Sequence, residues 1–395
     1  MPKGDHISRF FLPPELKFIS SARHKSGHKW QVVKVRQPFE ICPKCTTPSN
    51  IRCGKAYSTV REESIQGSPL WLRIQKHRYF CTSCKKPFTE HVLGIVPRRK
   101  TTQRFRRSLL KSCINYVNLS KVKNDFKCSS GLIYKVFYEQ AEVKLRERKG
   151  VQWPKRIGID EHFFSRRKGY CEFATVFSNL DKGKLFELAY GKQNKNLIEQ
   201  LKDIPGRENV QVVAIDMSDS YRSFVKAFFP NAKIVADKFH VLRLPTPTII
   251  KHRKNIHGHK QNLRTRRLLL KNRMSLDYDV RCELDRYLTQ YPDLNELYRA
   301  KEKLYEFYRT KGLNRAVQSF HRLIEQLSKS NLPELNKLKN TLIKWKHEIL
   351  RYFERGVTNA LSEAINNSAK RLQRRACGYK SFKNYRLAVL SACAF

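Results

Sequence analysis

The sequence predicts a multidomain α/β protein whose main sheet follows a small β-rich module and a helical segment. Three observations lead to this prediction. The chain has 395 residues, which is more than one hydrophobic core usually organises. Short apolar runs alternate with helical patterns over residues 151–244, and two CxxC pairs lie near the N-terminus. We therefore predict three domains, at residues 1–96, 97–150 and 151–395.

The first segment contains a clear strand over residues 30–35 and two CxxC pairs, in ICPKC and YFCTSC. The candidate metal ligands are Cys42, Cys45, Cys81 and Cys84. Four thiolates at this spacing can surround one tetrahedral zinc ion, and a module this small hardly folds without such support. The alternative is four unrelated buried thiols. Cys53 is a weaker candidate ligand because it lacks a CxxC partner.

Positive charge dominates the composition. The chain has 80 Lys and Arg residues against 34 Asp and Glu, and a formal net charge of +46. Folding needs no such excess, whereas binding a polyanion does. No apolar run reaches the roughly 18 residues of a membrane-spanning helix, and the N-terminus has no signal-peptide core. We therefore expect a cytoplasmic protein with reduced or metal-bound cysteines.

Residues 97–150 have the pattern of a helix-turn-helix. A short helix is predicted over residues 120–126, a turn at 128–130 and a second helix over 131–140, which would enter the major groove. A plain helical hairpin packed on the core is the alternative, and the surrounding positive charge favours DNA binding. The candidate DNA contacts in this segment are Arg104, Arg106, Arg107 and Lys135.

The third segment begins with three strand patterns, RIGIDEHFF, YCEFATVFSNL and KLFELAYG, the last two joined by a turn at residues 181–183. A helix over residues 194–201 precedes an apolar run that ends at Asp216. An amphipathic helix and a second run over residues 232–236, ending at Asp237, follow. This order is that of an RNase-H-like fold, whose first and fourth strands are neighbours. Asp160 on the first strand would then face Asp216.

An all-α insertion is predicted at about residues 241–350. Its first part carries no acidic residue between Lys238 and Asp277, so it would repel itself unless it lay on phosphates. A solvated basic face is the alternative. The candidate DNA contacts in this run are Arg253, Lys254, Arg264, Arg266 and Arg267. About three helices with apolar stripes are expected over residues 293–353. The chain then returns with a helix, capped by Thr358 or Asn359, that carries Glu363.

Three converging carboxylates, Asp160, Asp216 and Glu363, would repel one another unless cations lay between them. Two Mg²⁺ or Mn²⁺ ions suit such oxygen ligands and can drive an in-line phosphoryl displacement. Asp160 would bridge both ions, and the other two carboxylates would hold one ion each. Each carboxylate also has an alternative role: Asp160 could simply end a strand, Asp216 could cap the following helix, and Glu363 could pair with a nearby arginine. Asp219 suits an N-cap better, and Glu161 points to the opposite strand face.

Several motifs together carry a resemblance: ICPKC, YFCTSC followed by KPFTE, IGIDE, AIDMSDSY, FPNAKIVADKFHV and TNALSEAINN…RRACGYKSFKNYR. The chain resembles, from about residue 30 to 390, the DDE transposases of the bacterial insertion-sequence family called ISL-three (ISL3). The resemblance implies an N-terminal zinc segment, a helix-turn-helix, and an RNase-H-like domain with a helical insertion. It implies a catalytic triad at Asp160, Asp216 and Glu363, supported by the D-x-x-H pair Asp237 and His240.

The resemblance also implies that the protein binds the terminal inverted repeats of its element, frees 3′-hydroxyls and transfers them into target DNA. Bringing two ends together requires a homodimer or larger assembly, and its DNA substrate would place the protein at the nucleoid. Two alternative functions are a non-enzymatic DNA-binding protein derived from a transposase, and an RNase-H-like structure-specific nuclease that cleaves without joining.

Overall fold

The computed structural model describes residues 12–95, 98–115, 119–148, 150–167, 170–258 and 263–394. The chain divides into two compact units, Met1–Glu147 and Arg148–Phe395. The segments predicted as 1–96 and 97–150 therefore belong to one compact unit. The division between the units lies close to the boundary predicted after residue 150.

The first unit is built on a twisted sheet. Its strands are β1 (Leu16–His24), β2 (Gly27–Lys34), β3 (Glu40–Ile41), β4 (Pro48–Ser49), β5 (Arg52–Ile65), β6 (Ser68–Cys81) and β7 (Lys86–Thr89). Five of these strands form one sheet in the order β1-β2-β6-β5, with β7 also paired to β6. Alternate residues of β6, namely Leu70, Leu72 and Ile74, are fully buried, so one face of the sheet carries the core.

Three helices complete the described part of this unit: α1 (Gln103–Asn115), α2 (Leu119–Phe126) and α3 (Ser130–Glu147). Buried Glu62 of β5 accepts hydrogen bonds from Thr102 at 2.9 Å and from Arg104 at 3.2 Å, which fixes the start of α1 on the sheet. Helix α3 continues beyond its predicted end at residue 140, because Ala141 on the next turn is still buried.

A mixed five-stranded sheet forms the centre of the second unit. Its strands are β8 (Arg156–Arg167), β9 (Tyr170–Asn179), β10 (Lys184–Tyr190), β11 (Val212–Ile215) and β12 (Lys233–Ala236). Their order is β10-β9-β8-β11-β12. The first three strands are antiparallel, whereas β11 runs parallel to both β8 and β12. The predicted hairpin and the predicted contact between the first and fourth strands are both present.

Helices surround this sheet and fill the insertion. They are α4 (Asn194–Leu201), α5 (Asp219–Phe228), α6 (Lys238–Arg243), α7 (Thr246–His257), α8 (Leu263–Leu270), α9 (Tyr278–Thr289), α10 (Pro292–Arg309), α11 (Leu313–Ser328), α12 (Pro333–Lys344), α13 (Lys346–Arg355), α14 (Ala360–Arg375) and α15 (Phe382–Cys393). Short 3₁₀ turns lie at Arg207–Asn209 and Arg273–Ser275. None of the helices in the described part of the chain combines the length and apolarity needed to cross a membrane.

The insertion contains one more helix than predicted over residues 293–353. The helical pattern continues past residue 344 without a Gly or Pro. The helix nevertheless ends at Lys344 and a new one begins at Lys346, because Trp345 has φ −106° and ψ 14°. The buried Trp345 ring lies under the Arg222 guanidinium at 3.6 Å. We attribute the break to this contact, which joins the insertion to α5 and which helical periodicity cannot reveal.

Candidate active site

The carboxylates of Asp160 and Asp216 lie at the same edge of the central sheet. Ala214 of β11 pairs with Gly158 of β8, and the strands are parallel. Asp216 and Asp160, each two residues further along, are therefore level with one another. Asp237 directly follows β12, which pairs in parallel with the other side of β11. Asp216 and Asp237 thus follow the ends of parallel strands, level with Asp160 within β8, as the sequence predicts for Asp160 and Asp216.

Desolvation makes these carboxylates unusual. Burial raises the pKa of Asp216 to about 6; the charge of His240 opposes the shift, and the nearby carboxylates of Glu161, Asp160 and Asp237 add to it. Burial also raises the pKa of Asp160. The Oδ1 atom of Asp216 is buried and has no hydrogen-bond partner among the described residues. A cation at this edge would relieve both the repulsion and the lost solvation.

Asp237 connects the sheet edge to two other elements. Its side chain is buried, and its Oδ2 is 3.0 Å from Nδ1 of His240 on α6. Its Oδ1 accepts a hydrogen bond of 2.9 Å from the backbone N–H of Asn359, where α14 begins. The bond to Asp237 is the main reason that the pKa of His240 is raised. Asp237 therefore holds His240 and the start of α14 beside the other carboxylates.

The start of α14 packs closely on β8 because residue 158 is glycine. A Cβ atom on Gly158 would lie 2.2 Å from Oδ1 of Asn359 and 2.3 Å from Oγ of Ser362. Asn359 occupies the predicted N-cap position but makes no capping bond with its side chain. Its amide instead donates to the backbone oxygen of Ile159 at 3.0 Å, so the cap residue attaches the helix to the strand.

A buried hydrogen-bond chain, which sequence reasoning missed, positions Asp160. Asn366 of α14 donates from Nδ2 to Asp160 Oδ2 at 2.6 Å, and its Oδ1 lies 2.9 Å from Nδ1 of His162. Nε2 of His162 is 2.6 Å from the hydroxyl of Tyr385. Because the amide donates to a carboxylate, its oxygen must accept from His162, so the imidazole carries its proton on Nδ1 and accepts from Tyr385. Burial lowers the pKa of His162, which favours this neutral form.

Glu363 lies in the first turn of α14, on its exposed surface and one turn before Asn366. Among the described residues, no hydrogen bond or ion pair holds its carboxylate in place. Its helix, however, is attached to the sheet edge on both sides of it, through Asn359 and Asn366. The structure therefore brings the first two predicted carboxylates together and fixes the backbone that carries the third nearby.

The two competing carboxylates are engaged elsewhere. Glu161 accepts a hydrogen bond of 2.7 Å from the Tyr221 hydroxyl, and its charge is among those that raise the pKa of Asp216. Asp219 is not the N-cap of α5: Ser218 takes that position and accepts from the backbone N–H of Tyr221. Asp219 instead pairs with Lys344 at 2.5 Å.

Comparison with known proteins decides which family these residues belong to. The family model for ISL3 DDE transposases, described as a transposase, matches residues 157–389, which include every carboxylate of this site. The chain belongs to the ISL3 family of DDE transposases. It is also 24% identical over 369 residues to the transposase for insertion sequence element IS1001 of Bordetella parapertussis. That match covers 89% of this chain and 88% of the relative, and the resemblance noted from the motifs is confirmed.

The N-terminal unit of this transposase contains the predicted cysteine cluster. The Sγ atoms of Cys42, Cys45, Cys81 and Cys84 all lie within 4.8 Å of one another. Tetrahedral zinc with Zn–S bonds of about 2.3 Å places its sulfurs about 3.8 Å apart. The cluster therefore has the donor atoms and nearly the spacing of a structural zinc site. Cys53 is exposed and is not one of the four.

The thiols of this cluster differ in how readily they ionise. Hydrogen bonding with Thr47 lowers the pKa of Cys45 to about 5. The interaction with Cys45 is the main reason that the pKa of Cys84 is raised to about 12. Four thiolates this close require a cation between them, so the donor set fits zinc.

The predicted DNA-contacting residues fall into two groups. Arg107, Lys135, Lys254, Arg264 and Arg267 are exposed, while Arg104 and Arg266 are partly exposed. Arg106 and Arg253 are buried, 6% and 1% exposed, and Arg106 pairs with Glu139. A buried guanidinium cannot reach a phosphate, so we leave these two residues out of the DNA surface proposed below.

Proposed function

We propose that this transposase cleaves the ends of its insertion sequence and joins the freed 3′-hydroxyls to target DNA. Asp160, Asp216 and Glu363 would hold the divalent ions that DDE chemistry uses. The main support is that the desolvated carboxylates of Asp160 and Asp216 lie level with one another, beside the helix that bears Glu363. One oxygen of Asp216 is buried and has no hydrogen-bond partner among the described residues.

The strand order of the second unit supports an RNase-H-like catalytic domain. Numbered from β8, the order is 3-2-1-4-5, with the first and fourth strands parallel and adjacent. The helices from α7 to α13 would then be the insertion, between the strand that ends at Asp237 and the helix that carries Glu363.

Two Mg²⁺ or Mn²⁺ ions, when bound, would supply the positive charge that activates an attacking oxygen and stabilises a leaving one. The chain would supply the geometry. Asp237 holds both His240 and the start of α14 at the sheet edge, and Asn366 orients Asp160. These hydrogen bonds would fix the ligands before DNA binds, which lowers the cost of assembling the site.

DNA binding would involve both units. In the first unit, α2 and α3 are arranged in sequence as a helix-turn-helix, and α3 exposes Tyr134 and Lys135 on one face. The cysteine cluster would hold one structural zinc ion. In the second unit, Lys254, Arg264 and Arg267 would contact phosphates along the insertion. The partners would be terminal inverted repeats and target DNA, with at least two copies of the chain assembled at the nucleoid.

A strand-cleavage assay tests the proposal. Duplex oligonucleotides carrying the ends of the element are incubated with the full chain and Mg²⁺, and nicked and joined products are measured. We expect Asp160→Asn, Asp216→Asn and Glu363→Gln to lose both products. The exposed loop variant Asp203→Asn, a matched change of charge, should keep them. Undiminished cleavage by Asp216→Asn would contradict the assignment of the site.

The same assay separates the alternatives. A wild-type chain that shifts the oligonucleotides without cutting them would be a non-enzymatic DNA-binding protein. A chain that cuts branched DNA in preference to element ends, and never joins strands, would be a structure-specific nuclease.

A further inference from the structure

A surface cavity of about 810 Å³ lies where β9 begins and β10 ends. This volume is within the range of about 300–1,000 Å³ typical of small-molecule sites. The metal hypothesis does not use the cavity. Its walls come from Tyr170 and Phe173 of β9, from Tyr190 of β10, and from the turn that leads into α4.

The lining combines flat apolar surface with a few polar groups. Tyr170 is 79% exposed, so the cavity presents a large aromatic side chain to solvent. The Lys192 ammonium lies 4.4 Å from the centre of the Phe173 ring, so a positive charge lies over an aromatic ring of the cavity wall. Gln193 and Asn196 on the turn and on α4 add exposed amides, which can both donate and accept hydrogen bonds.

Lys192 also connects the cavity to the carboxylates. Its Nζ is 3.7 Å from Oε1 of Glu161, and the backbone N–H of Glu161 donates to Asp160 Oδ1 at 2.7 Å. A ligand that contacts Lys192 is therefore connected to Asp160 through Lys192 and Glu161.

We propose that the cavity takes one unstacked nucleobase of the DNA strand held at the carboxylates. Every base has a flat face that stacks on aromatic rings, and an edge that amides can bind by hydrogen bonds. Lys192 would balance the charge of the adjoining phosphate. Stacking hides the faces of the bases in a paired duplex, so the base leaves the helix to enter. The inference rests on the proposed function, since it places the base on the same substrate.

An abasic scan tests the inference with the full chain. In duplexes that carry the element ends, each nucleotide near the cleaved bond is replaced in turn by an abasic site. The dissociation constant is then measured for wild type and for Tyr170→Ala, Tyr170→Phe and Tyr278→Ala. Tyr278 lies on α9 and is 74% exposed, so it controls for losing an exposed tyrosine outside the cavity.

At one position, we expect removal of the base to weaken wild-type binding about tenfold, the usual effect of losing one stacked base. Tyr170→Ala should bind the intact and abasic duplexes with the same dissociation constant. Tyr170→Phe and Tyr278→Ala should bind the abasic duplex more weakly than the intact one, as wild type does. The inference fails if wild-type chain cleaves its ends but no position shows a discrimination that depends on Tyr170. Absence of cleavage in the wild type would instead overturn the proposed function.

Discussion

The side-chain amide of Asn366 donates a hydrogen bond of 2.6 Å to Oδ2 of Asp160, joining α14 to β8 across 206 residues of sequence. One oxygen of the central carboxylate is thereby oriented by the same helix that carries Glu363. The arrangement resembles the outer hydrogen bonds that fix metal ligands in other sites. Asn366 is in this sense a positioning residue, because it would act on a metal through Asp160.

Replacing Asn366 should therefore impair metal use more than folding. We expect Asn366→Ala to lower the cleavage rate at limiting Mg²⁺ by about 10- to 100-fold, the usual effect of losing an outer hydrogen bond. Added Mg²⁺ should recover part of the rate. The neighbouring exposed residue supplies the control, since Asn367→Ala removes the same group without touching Asp160. Equal Mg²⁺ dependence of both variants would show that the bond to Asp160 has no role in catalysis.

The raised pKa of Asp216 predicts a dependence of stability on pH. Its pKa is about 6 in the folded chain against a usual 3.8, mainly because of burial. Between these values the folded chain holds a proton that the unfolded chain has lost. Without added Mg²⁺ or Mn²⁺, the contribution of Asp216 to the free energy of unfolding therefore falls as pH rises from about 4 to about 6, and stays low above that.

Asp216→Asn should remove the fall in the free energy of unfolding that the ionisation of Asp216 causes. At pH 7 and without added divalent ion, we expect the variant to unfold with a free energy about 2 kcal/mol higher than wild type, somewhat less than the full shift implies because the group is partly exposed. Near pH 4 the two should agree. Denaturant unfolding at both pH values measures the difference, with Asp203→Asn as the control. The interpretation fails if the variant and wild type differ equally at both.

Gly158 should be intolerant of any side chain. Its substitution by alanine would push the start of α14 from the sheet, because Asn359 and Ser362 lie within 2.3 Å of the new Cβ. We expect Gly158→Ala to lower the free energy of unfolding by about 1–3 kcal/mol and to reduce cleavage by displacing Glu363.

Two comparisons make this prediction specific. Gly131→Ala, at a helical glycine with open space around it, should not lower the free energy of unfolding, because alanine suits a helix better than glycine. Adding Ser362→Gly to Gly158→Ala removes one of the two clashing groups and should restore part of the stability. If Gly158→Ala is as stable and active as wild type, the close packing of α14 on β8 is not required.

The cysteine cluster predicts about one zinc ion per chain, held by four thiolates. Cys81→Ser should lose the ion and loosen the first unit, because Cys81 is fully buried at the end of β6. Cys53→Ser should keep the ion, since Cys53 is exposed and outside the cluster. Metal analysis of the purified variants, together with protease sensitivity, measures both outcomes. Zinc-free wild-type protein with an intact first unit would rule out a structural metal.

The sequence predicts the sheet well because its signals are local. The apolar runs that end at Asp216 and Asp237, and the turn at residues 181–183, each specify their own element, and the element order then implies which strands are neighbours. Level positions of Asp160 and Asp216 follow from that order and from the parallel register. Little long-range information is needed for these predictions.

The supporting contacts could not be predicted in the same way. Asn366, His162 and Tyr385 form one chain of hydrogen bonds only because α14 and α15 return to β8, and no local pattern specifies their partners. Burial of Arg106 and Arg253 was missed for the same reason, since charge density does not reveal which guanidinium is enclosed. One signal was present for Asn366: it lies one helical turn after Glu363, on a neighbouring part of the helix surface.

The central claim is that Asp160, Asp216 and Glu363 together hold divalent ions. A structure of the wild-type chain soaked with Mn²⁺, with anomalous differences measured, tests it most directly. We expect two manganese peaks about 3.5–4 Å apart between Asp160 of β8 and the end of β11, both in contact with Asp160. Asp216 should bind one ion and Glu363 the other. Manganese bound elsewhere, or bound at Asp160 and Asp216 while the Glu363 carboxylate remains in solvent, would contradict the account.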